Sequence, residues 1–402
     1  MRIAVIGGGL QGCALALELA DRGVQVELFE RSSQLMQGAS RHSEGKIHLG
    51  YVYSADTTLQ TAHLMAVGAA TFLPAIRRWL GDTADDLVAS TPFRYAVHRS
   101  SMRSPSELHP TYRSISRVVK DAFRGNEMCE GVEPGHLRRL EPDECGVYAD
   151  TIECVYETGE IAIDTNTLAD AVERSVIRRP EITVRNDVTV SGIDPRSRTL
   201  ELRLDDDSEE IKGPYDHVVN CSWGSLPKLD ANAGLPPTRP WCFRMKYFLR
   251  LPAGHGGTPI PSTTFVLGSY GDVVDFPGHG SYLSWYPAGR LGFTTDLEPP
   301  GWEAQPSPEL SEMIAIGIVD GLTSVIPSLS AIRCEALDFG VVRGGIIFAH
   351  GDTDLADESS ELHQRHSIGP TSAGPYHSVN TGKLTMAPHF ACELADRLVP
   401  AR

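Results

Sequence analysis

The segment Ser40–Tyr53 gathers side chains that could carry chemistry. It contains His42 and His48, together with one glutamate, one lysine and two glycines. A histidine titrates near neutral pH, so it can take a proton from a hydroxyl or ammonium group. A metal site needs several converging ligands, and the sequence offers the two histidines no such partner set. The segment therefore predicts either a proton-transferring loop or a polar connection, and the elements before it decide between the two.

A nucleotide-binding unit precedes this segment. The apolar run around Ile3 predicts a buried parallel strand. Apolar residues at three- and four-residue steps from Leu10 to Ala20 predict a helix, which ends at Gly23. A second strand follows and closes on Glu30. The order of strand, glycine turn, helix, strand and acid is that of a dinucleotide-binding βαβ unit.

The glycines, the helix N-terminus and the acid of this unit each have a physical task. Gly7 allows the tight turn, Gly9 lets the backbone approach a pyrophosphate, and Gly12 lets the helix pack close to the sheet. The helix N-terminus offers unpaired N–H groups and a partial positive charge to the phosphates. Glu30 can accept hydrogen bonds from the ribose hydroxyls, and its charge disfavours the 2′-phosphate of NADP. The unit alone does not distinguish NAD from FAD.

The sequence after Glu30 separates these two cofactors. The stretch RSSQLMQGASRHSEGKIHLGYVYSADTTLQTAHLMAVGAATF resembles the FAD-dependent oxidoreductases of the D-amino-acid oxidase superfamily. There, a serine-containing segment and a Gly-x-Ile-His-x-Gly stretch lead into a long helix. The pattern is most similar to the L-2-hydroxyglutarate and glycerol-3-phosphate dehydrogenase branches. The resemblance implies that His48 lies near the flavin ring or the substrate, either as the base or as a group that only donates and accepts hydrogen bonds.

Two further segments carry the same resemblance. DHVVNCSWGSLPKL (Asp216–Leu229) resembles the superfamily's strand-then-glycine stretch, with Cys, Ser and Trp in place of small residues. YHSVNTGKLTMAPHFACELADRL (Tyr376–Leu398) resembles its C-terminal Gly-Gly-Lys-Leu-Thr turn, with Thr381 at the first glycine. In the superfamily this turn lies beside the flavin, whose reduced form is anionic and is stabilised by a helix N-terminus. The FAD contacts that we predict are Gly7, Gly9, Leu10, Gln11, Gly12, Glu30, Arg31, Ser40, Lys46, Val188, Gly382, Lys383, Leu384 and Thr385.

The remaining patterns predict an α/β fold with two discontinuous domains. A Rossmann-like FAD-binding domain takes residues 1–90, 151–230 and 336–402. An α+β substrate domain on a mostly antiparallel sheet takes residues 91–150 and 231–335. Asp164 or Thr165 is predicted to cap a helix reaching Arg174, and a strand is expected over Ile182–Val190.

A second group of candidates lies in the predicted substrate domain and in the segment that follows it. Arg343, in FGVVRGGIIFAHGDTD, could bind an anionic substrate through its guanidinium fork, or form an ordinary surface ion pair. Tyr282, Ser284 and Tyr286 should share one face of a strand, which either lines the substrate cavity or packs in the core. Weaker candidates, which we do not rank, are Tyr270, Asp272, His350, His363, Arg365 and His366.

Composition excludes several other classes of protein. The chain has 402 residues, of which 41% are hydrophobic, and a net charge of −16, which speaks against a general nucleic-acid surface. It has no apolar run of about 18 residues, so no membrane span is expected. The start lacks the apolar region of a signal peptide, which favours a cytoplasmic location. Eight cysteines without a Cys-x-x-Cys pair predict neither structural zinc nor a disulfide framework.

These features together predict an FAD-dependent oxidoreductase. It would oxidise a C–OH or C–N bond of a small anionic substrate by hydride transfer to flavin N5, with His48 as base and Arg343 as anion anchor. The expected partners are the substrate and an electron acceptor, O₂ or another carrier. The alternatives are an amino-acid or amine oxidase that uses O₂, an NAD-dependent dehydrogenase, and a non-catalytic flavoprotein.

Overall fold

The computed structural model describes residues 1–255 and 260–399. Its strands fall into two large sheets and two small ones. In chain order the strands are β1 (Arg2–Ile6), β2 (Gln25–Phe29), β3 (Lys46–Ile47), β4 (Arg94–His98), β5 (Leu137–Arg139), β6 (Ile152–Thr158), β7 (Ile161–Ala162), β8 (Ile182–Arg185), β9 (Val188–Asp194), β10 (Thr199–Leu204), β11 (Glu209–Lys212), β12 (His217–Asn220), β13 (Trp241–Leu251), β14 (Thr263–Val266), β15 (Gly271–Phe276), β16 (Gly280–Trp285), β17 (Arg290–Thr294), β18 (Val341–His350), β19 (Gly369–Ala373) and β20 (Tyr376–Asn380).

The α-helices connect these strands and cover the sheets. In chain order they are α1 (Leu10–Asp21), α2 (Gln60–Leu80), α3 (Pro105–Phe123), α4 (Thr165–Ile177), α5 (Leu226–Asn232), α6 (Tyr286–Gly289), α7 (Pro308–Thr323), α8 (Arg333–Asp338) and α9 (Ala387–Leu398). Asp164 caps α4 by accepting hydrogen bonds from the main-chain N–H groups of Asn166 and Thr167, both at 2.9 Å. The predicted cap is therefore confirmed.

A six-stranded sheet holds the start of the chain near its centre. Its order is β19-β20-β12-β1-β2-β8, and every neighbouring pair is parallel except β19 with β20. Both β1 and β2 are buried from their second residue onward, which explains their continuously apolar sequences. This parallel core confirms the predicted Rossmann-like unit.

The first and last helices lie side by side on this sheet. α1 is buried from Leu10 to Ala20 and packs against α9 and α4 in one hydrophobic core. Gln11 donates from Nε2 to the carbonyl oxygen of Ala387 at 3.3 Å and accepts from the Thr381 hydroxyl at 3.1 Å. The C-terminal turn that precedes α9 is thereby brought to the glycine turn that precedes α1.

The second large sheet has nine strands and is almost entirely antiparallel. Its order is β17-β13-β16-β15-β14-β4-β6-β5, with β18 paired to β13, and only β14 and β4 run parallel. The 11-residue β13 pairs with β16, β17 and β18. α7 packs on this sheet through Ile314, Ile318 and Leu322. The mostly antiparallel sheet that the sequence predicts is confirmed.

Two strands join the nine-stranded sheet from segments that the sequence assigns to the other domain. β6 pairs with β4 and β5, and β18 pairs with β13 over ten residues. An apolar strand carries no local mark of the sheet it joins, because only its partners decide this. The domain boundaries at residues 90, 150, 230 and 335 stay a prediction.

The expected strand over Ile182–Val190 is wrong in one respect, since the structure has two strands there. β8 ends at Arg185 and continues the parallel sheet beside β2. Asp187 then takes a left-handed conformation with φ of 57°, and β9 begins a separate three-stranded sheet. Asn and Asp tolerate this conformation better than other residues, so the Asn-Asp pair was the sequence signal for the break.

The structure adds three observations on the described part of the chain. None of its helices combines the length and apolar character needed to cross a bilayer. Residues 1–255 and 260–399 hold no cluster of His, Cys, Asp and Glu side chains arranged to bind a metal ion. All eight cysteines have free thiols.

Candidate active site

The glycine turn before α1 leaves no room for side chains. Gly7 has φ of 99°, a conformation that side chains disfavour. A Cβ atom on Gly12 would lie 1.9 Å from the Gly7 carbonyl oxygen, and one on Gly9 would lie 3.1 Å from Ser40 Oγ. α1 has no side-chain cap at Gly9 and no acidic residue in its first turn. The helix N-terminus therefore remains suited to an anion.

Glu30 is held at the edge of this turn. Its Oε2 accepts a hydrogen bond from the main-chain N–H of Gly8 and its Oε1 accepts one from Ser32, both at 2.8 Å. Ser40 Oγ accepts from the main-chain N–H of Leu10 at 2.8 Å, which ties the segment Ser40–Tyr53 to the start of α1. The acid and the serine are thus fixed beside the glycines.

One cavity of about 460 Å³ joins this turn to the nine-stranded sheet. It runs from the glycine turn past the loop 37–46 to the C-terminal turn 381–384, β13 and β18. Such a volume is typical of a small-molecule or cofactor site. The predicted residues that line it are Gly7, Gly9, Leu10, Gln11, Glu30, Arg31, Ser40, Lys46, His48, Gly382, Lys383 and Leu384.

Four predicted site residues do not line the cavity. Gly12 faces Gly7, as the close packing of α1 requires. The main-chain N–H of Val188 donates to the Glu30 carbonyl oxygen at 3.0 Å. Thr385 Oγ1 accepts from the main-chain N–H of His48 at 2.8 Å and donates to the Lys46 carbonyl oxygen at 3.2 Å. Gly12, Val188 and Thr385 therefore hold the lining residues in place without lining the cavity themselves.

Arg343 is the fourth residue outside the lining. It is half-buried on β18, and its Nη1 donates to the carbonyl oxygen of Val342 at 2.9 Å. The sequence predicts Arg343 as the anion anchor, but its guanidinium does not face the cavity surface. Residues 344–347 of the same strand do line the cavity, and the anchoring role of Arg343 stays a prediction.

His48 lies in the wall of the cavity between two carboxylates. Its side chain is buried, and its Nδ1 has no hydrogen-bond partner. Nδ1 is 3.9 Å from Glu160 Oε1, and Nε2 is 3.8 Å from Glu44 Oε1. Burial and the positive charges of Lys383 and Lys46 hold the pKa of His48 well below its usual value. The imidazole is therefore neutral at neutral pH and can accept a proton.

Two lysines and two carboxylates form a compact cluster beside His48. Lys46 Nζ donates to Asp272 Oδ1 at 2.8 Å, and Lys246 Nζ lies 3.8 Å from Asp272 Oδ2. Burial opposes ionisation of Glu44, but Lys246, Lys383 and Lys46 lower its pKa to about 2. Lys46 and Lys246 lower the pKa of Asp272 against the same effect of burial. Both carboxylates are therefore ionised at neutral pH.

Two buried arginines line the far end of the cavity. Arg244 lies on β13 and donates from Nη1 to the hydroxyl of Tyr286, while Arg365 precedes β19. The Nε atom of each guanidinium is buried without a hydrogen-bond partner. Burial lowers the pKa of Arg365, and the positive charge of Arg244 lowers it further. This pair is the strongest anion-binding feature of the cavity.

The comparison with protein families decides the class of this protein. The model of the FAD dependent oxidoreductase family, DAO, matches residues 2–396. The chain belongs to this family. It is an FAD-dependent oxidoreductase, as the sequence predicts, and FAD is its cofactor.

Solved structures of other flavoenzymes share the fold at low sequence identity. Glycine oxidase from Geobacillus kaustophilus superimposes with a TM-score of 0.70 at 14% identity, over 98% of this chain and 94% of its own. L-alpha-glycerophosphate oxidase from Mycoplasma pneumoniae, with FAD bound, gives 0.63 at 14% identity over 100% and 95%. At this identity the likeness establishes the fold alone.

A curated relative matches over a short segment only. An FAD-dependent monooxygenase of Aspergillus flavus is 42% identical over 53 residues. The match spans 13% of this chain and 12% of the fungal protein.

The residues present fit FAD. The three glycines before α1 and the absence of a cap at Gly9 suit its pyrophosphate, and the fixed carboxylate of Glu30 suits its ribose. Lys383, in the turn before α9, lines the same cavity. These are the positions that the sequence resemblance implies for an FAD-dependent oxidoreductase.

Sequence reasoning missed Arg244 and Lys246 and left Arg365 unranked. Arg244 and Lys246 stand two apart in the mostly apolar strand sequence WCFRMKYFLRL, so they occupy one face of β13. Cations at this spacing within a mostly apolar strand were the available signal. Tyr282 and Tyr286 both line the cavity but do not share a strand, because β16 ends at Trp285 and α6 begins at Tyr286.

The weaker candidates divide between the cavity and its surroundings. Tyr270, Asp272, His363 and Arg365 line it, whereas His350 and His366 do not.

Proposed function

We propose that this FAD-dependent oxidoreductase oxidises a C–OH or C–N bond of a small anionic molecule. One observation carries the proposal: a single cavity connects the nucleotide-binding turn to a chamber lined by His48, Arg244 and Arg365. Bound FAD supplies the hydride acceptor at N5. The protein supplies orientation, charge and proton transfer.

His48 is the proposed proton acceptor. Its low pKa keeps it neutral, and its Nδ1 and Nε2 atoms each face a carboxylate at almost 4 Å without a direct hydrogen bond. A proton taken from a substrate hydroxyl or ammonium would leave an imidazolium, which these two carboxylates stabilise. Burial raises the pKa of Glu160, so that group can share the proton.

Lys383 and the arginines supply the remaining charges. Lys383 stands in the turn before α9, where its positive charge favours the anionic reduced flavin. In the proposal Arg244 and Arg365 replace Arg343 as the anchor for the substrate, because their side chains reach the cavity. The guanidinium fork suits carboxylate or phosphate oxygens.

Oxidation of a C–N bond with O₂ as acceptor is the second candidate. The similarity to glycine oxidase supports it, and the similarity to glycerophosphate oxidase supports the C–OH alternative. Both candidates place the same residues at the same steps. They differ in the bond that is oxidised and in the electron acceptor.

The test is anaerobic reduction of the flavin in the purified protein. Small hydroxy acids, polyol phosphates and amino acids are added in turn, and bleaching of the flavin band near ~450 nm reports hydride transfer. Admission of O₂ with formation of peroxide would identify an oxidase. A protein that cannot be loaded with FAD contradicts the proposal and favours NAD, whereas bound FAD that no such molecule reduces favours a non-catalytic flavoprotein.

A further inference from the structure

We propose that the substrate is a dianion whose two negative charges lie at one end, where Arg244 and Arg365 bind them. The inference rests on the proposed function and names the substrate class for the same cavity. It goes beyond the requirement for an anionic molecule, because it fixes the number and the grouping of the charges.

The burial of the two arginines is the first observation. Arg244 is 3% exposed and Arg365 is 5% exposed, and the Nε atom of each lacks a partner. Within residues 1–255 and 260–399, neither guanidinium forms an ion pair with a carboxylate. A buried charge without a partner is strongly unfavourable, so each guanidinium requires an anion that the chain does not provide.

A third arginine, Arg290, also lies beside the ring of Tyr286 and provides a comparison with Arg244. The Cζ atoms of Arg244 and Arg290 both lie 5.9 Å from the ring centroid of Tyr286. Arg290 is paired with Asp354 Oδ2 at 2.6 Å and does not line the cavity. Only the guanidinium that faces the cavity is left without a carboxylate.

Mutual repulsion is the second observation. Both arginines lie within range of Tyr286, since Arg244 donates to its hydroxyl and Tyr286 acts electrostatically on Arg365, and the charge of Arg244 disfavours that of Arg365. A single negative charge would compensate one guanidinium and leave the other buried and unpaired. A compact dianion compensates both at once.

The charge balance of the cavity agrees with this. Away from Glu30 and Arg31, its lining holds five cations and two carboxylates. Lys46 and Lys246 are balanced by Glu44 and Asp272, and Lys383 stands at the flavin end. The excess is three positive charges, and once that of Lys383 is assigned to the flavin, those of Arg244 and Arg365 remain.

The charge grouping defines the chemistry of the ligand. A phosphate monoester places two charges on one group, and a malonate-type molecule places two carboxylates on one carbon. A monocarboxylate leaves one guanidinium uncompensated, and a dicarboxylate with distant ends reaches only one side of the pair. The shared property is two negative charges within reach of two neighbouring guanidiniums.

Calorimetric binding to the flavin-loaded protein tests the inference. The probes are inorganic phosphate, malonate and acetate at equal ionic strength and about pH 8, where phosphate is mostly divalent. We expect at least one of the two dianions to bind about tenfold or more tightly than acetate. Tight binding of phosphate would identify a phosphate ester as the substrate class, and tight binding of malonate would identify a dicarboxylate.

Substitutions locate the binding. Arg244→Gln and Arg365→Gln should each weaken dianion binding about tenfold or more, because charge-assisted hydrogen bonds are lost. Arg290→Gln is the matched control, since it removes a guanidinium from the same ring outside the cavity, and it should change binding less than about threefold. The flavin spectrum and thermal melting show that each variant is folded. Arg244→Lys and Arg365→Lys, which keep the charge but lose the fork, should bind the dianion more weakly than the native protein and provide the test if a glutamine variant does not fold.

Two results would overturn the inference. One is acetate binding as tightly as both dianions. The other is dianion binding at the native affinity in the glutamine and lysine variants of both Arg244 and Arg365. Failure of the proposed function looks different: the dianion would bind through both arginines, but no dianionic alcohol or amine would reduce the flavin.

Discussion

The main-chain N–H of His48 donates to the hydroxyl of Thr385 at 2.8 Å, which joins two segments 337 residues apart. The same hydroxyl donates to the Lys46 carbonyl oxygen at 3.2 Å. Thr385 is fully buried, so neither group can exchange its partner for water. The loop that carries the candidate base and the turn that carries Lys383 are thus held as one unit.

Removal of the Thr385 hydroxyl should therefore loosen both segments. We expect Thr385→Val to lower the free energy of unfolding by about 1–3 kcal/mol, because a buried N–H loses its acceptor. FAD affinity should fall as well. Urea unfolding and flavin titration measure the two effects. Thr183→Val, at an exposed position of β8, is the control. Equal stability of the two variants would contradict the prediction.

The pH dependence of flavin reduction should reveal the environment of His48. Burial and the nearby lysines lower the pKa of its imidazole well below 6.5 in the folded protein. The neutral, proton-accepting form therefore persists as the pH falls through 6.5 and is lost only below the lowered pKa. Stopped-flow reduction should show no acid limb near 6.5.

Substitution of His48 provides the matching measurement. His48→Asn should slow reduction about 10²–10⁴-fold, the usual contribution of a general base. Retention of the flavin spectrum would show that the cofactor is still bound. A native acid limb at 6.5, or an unchanged rate in the variant, would contradict the role of His48 as base.

Loss of Asp272 should destabilise the protein strongly. Its carboxylate lies 2.8 Å from Lys46 Nζ and 3.8 Å from Lys246 Nζ, and both lysines are buried or nearly so. Asp272→Asn removes one of the two carboxylates that compensate these cations, so the free energy of unfolding should fall by about 3–5 kcal/mol. Chemical denaturation gives this value directly.

A surface pair is the control for that variant. Glu144 accepts from Arg138 at 2.7 Å, but both side chains are largely in water. Glu144→Gln should change the denaturation midpoint little, because solvent screens exposed ion pairs. Similar losses of unfolding free energy in Asp272→Asn and Glu144→Gln would show that burial does not set the energy of the ion pairs of Asp272.

A histidine pair in the six-stranded sheet should make stability sensitive to acid. His217 Nδ1 lies 3.0 Å from His377 Nε2, an arrangement that requires one ring nitrogen to accept. Burial lowers the pKa of both groups, and that of His377 falls to about 4. Their contribution to the free energy of unfolding is complete above the unfolded pKa of 6.5 and is lost as the pH falls toward 4.

His217→Asn measures this effect. Between about pH 7 and 5, the free energy of unfolding of the native protein should fall by up to about 1.4 kcal/mol per pH unit for each such histidine. That of the variant should fall by less. Urea unfolding at several pH values gives the slope. His279→Asn, at an exposed turn, should keep the native slope. A variant as acid-sensitive as the native protein would remove the pair as the cause.

The cofactor end of the site could be predicted from the sequence because its residues act over short distances along the chain. Gly7, Gly12 and Glu30 act through backbone conformation and fixed spacing, and the structure shows each of these constraints. The substrate end could not be predicted in this way. Arg244 and Arg365 reach the same cavity only through the pairing of β13 and the path of the chain before β19, and no spacing in the sequence records this.

The role of Arg343 as anion anchor stays a prediction. The resemblance implies that role, whereas the residues of β18 that line the cavity are 344–347. The capped α4 was predictable because its signal lies within one turn. The division of the apolar strands between the two large sheets was not.

The course of β13 has a further consequence for the diversification of such enzymes. The chain builds the cofactor end of the cavity mainly from residues 7–46, 221–224 and 381–387, whereas Arg244 and Lys246 lie on a strand held by three neighbours. Most of the substrate end therefore lies in one continuous stretch of the sequence. Transplanting β13 through Arg365 between family members should exchange much of their substrate selectivity while the recipient's flavin stays in place.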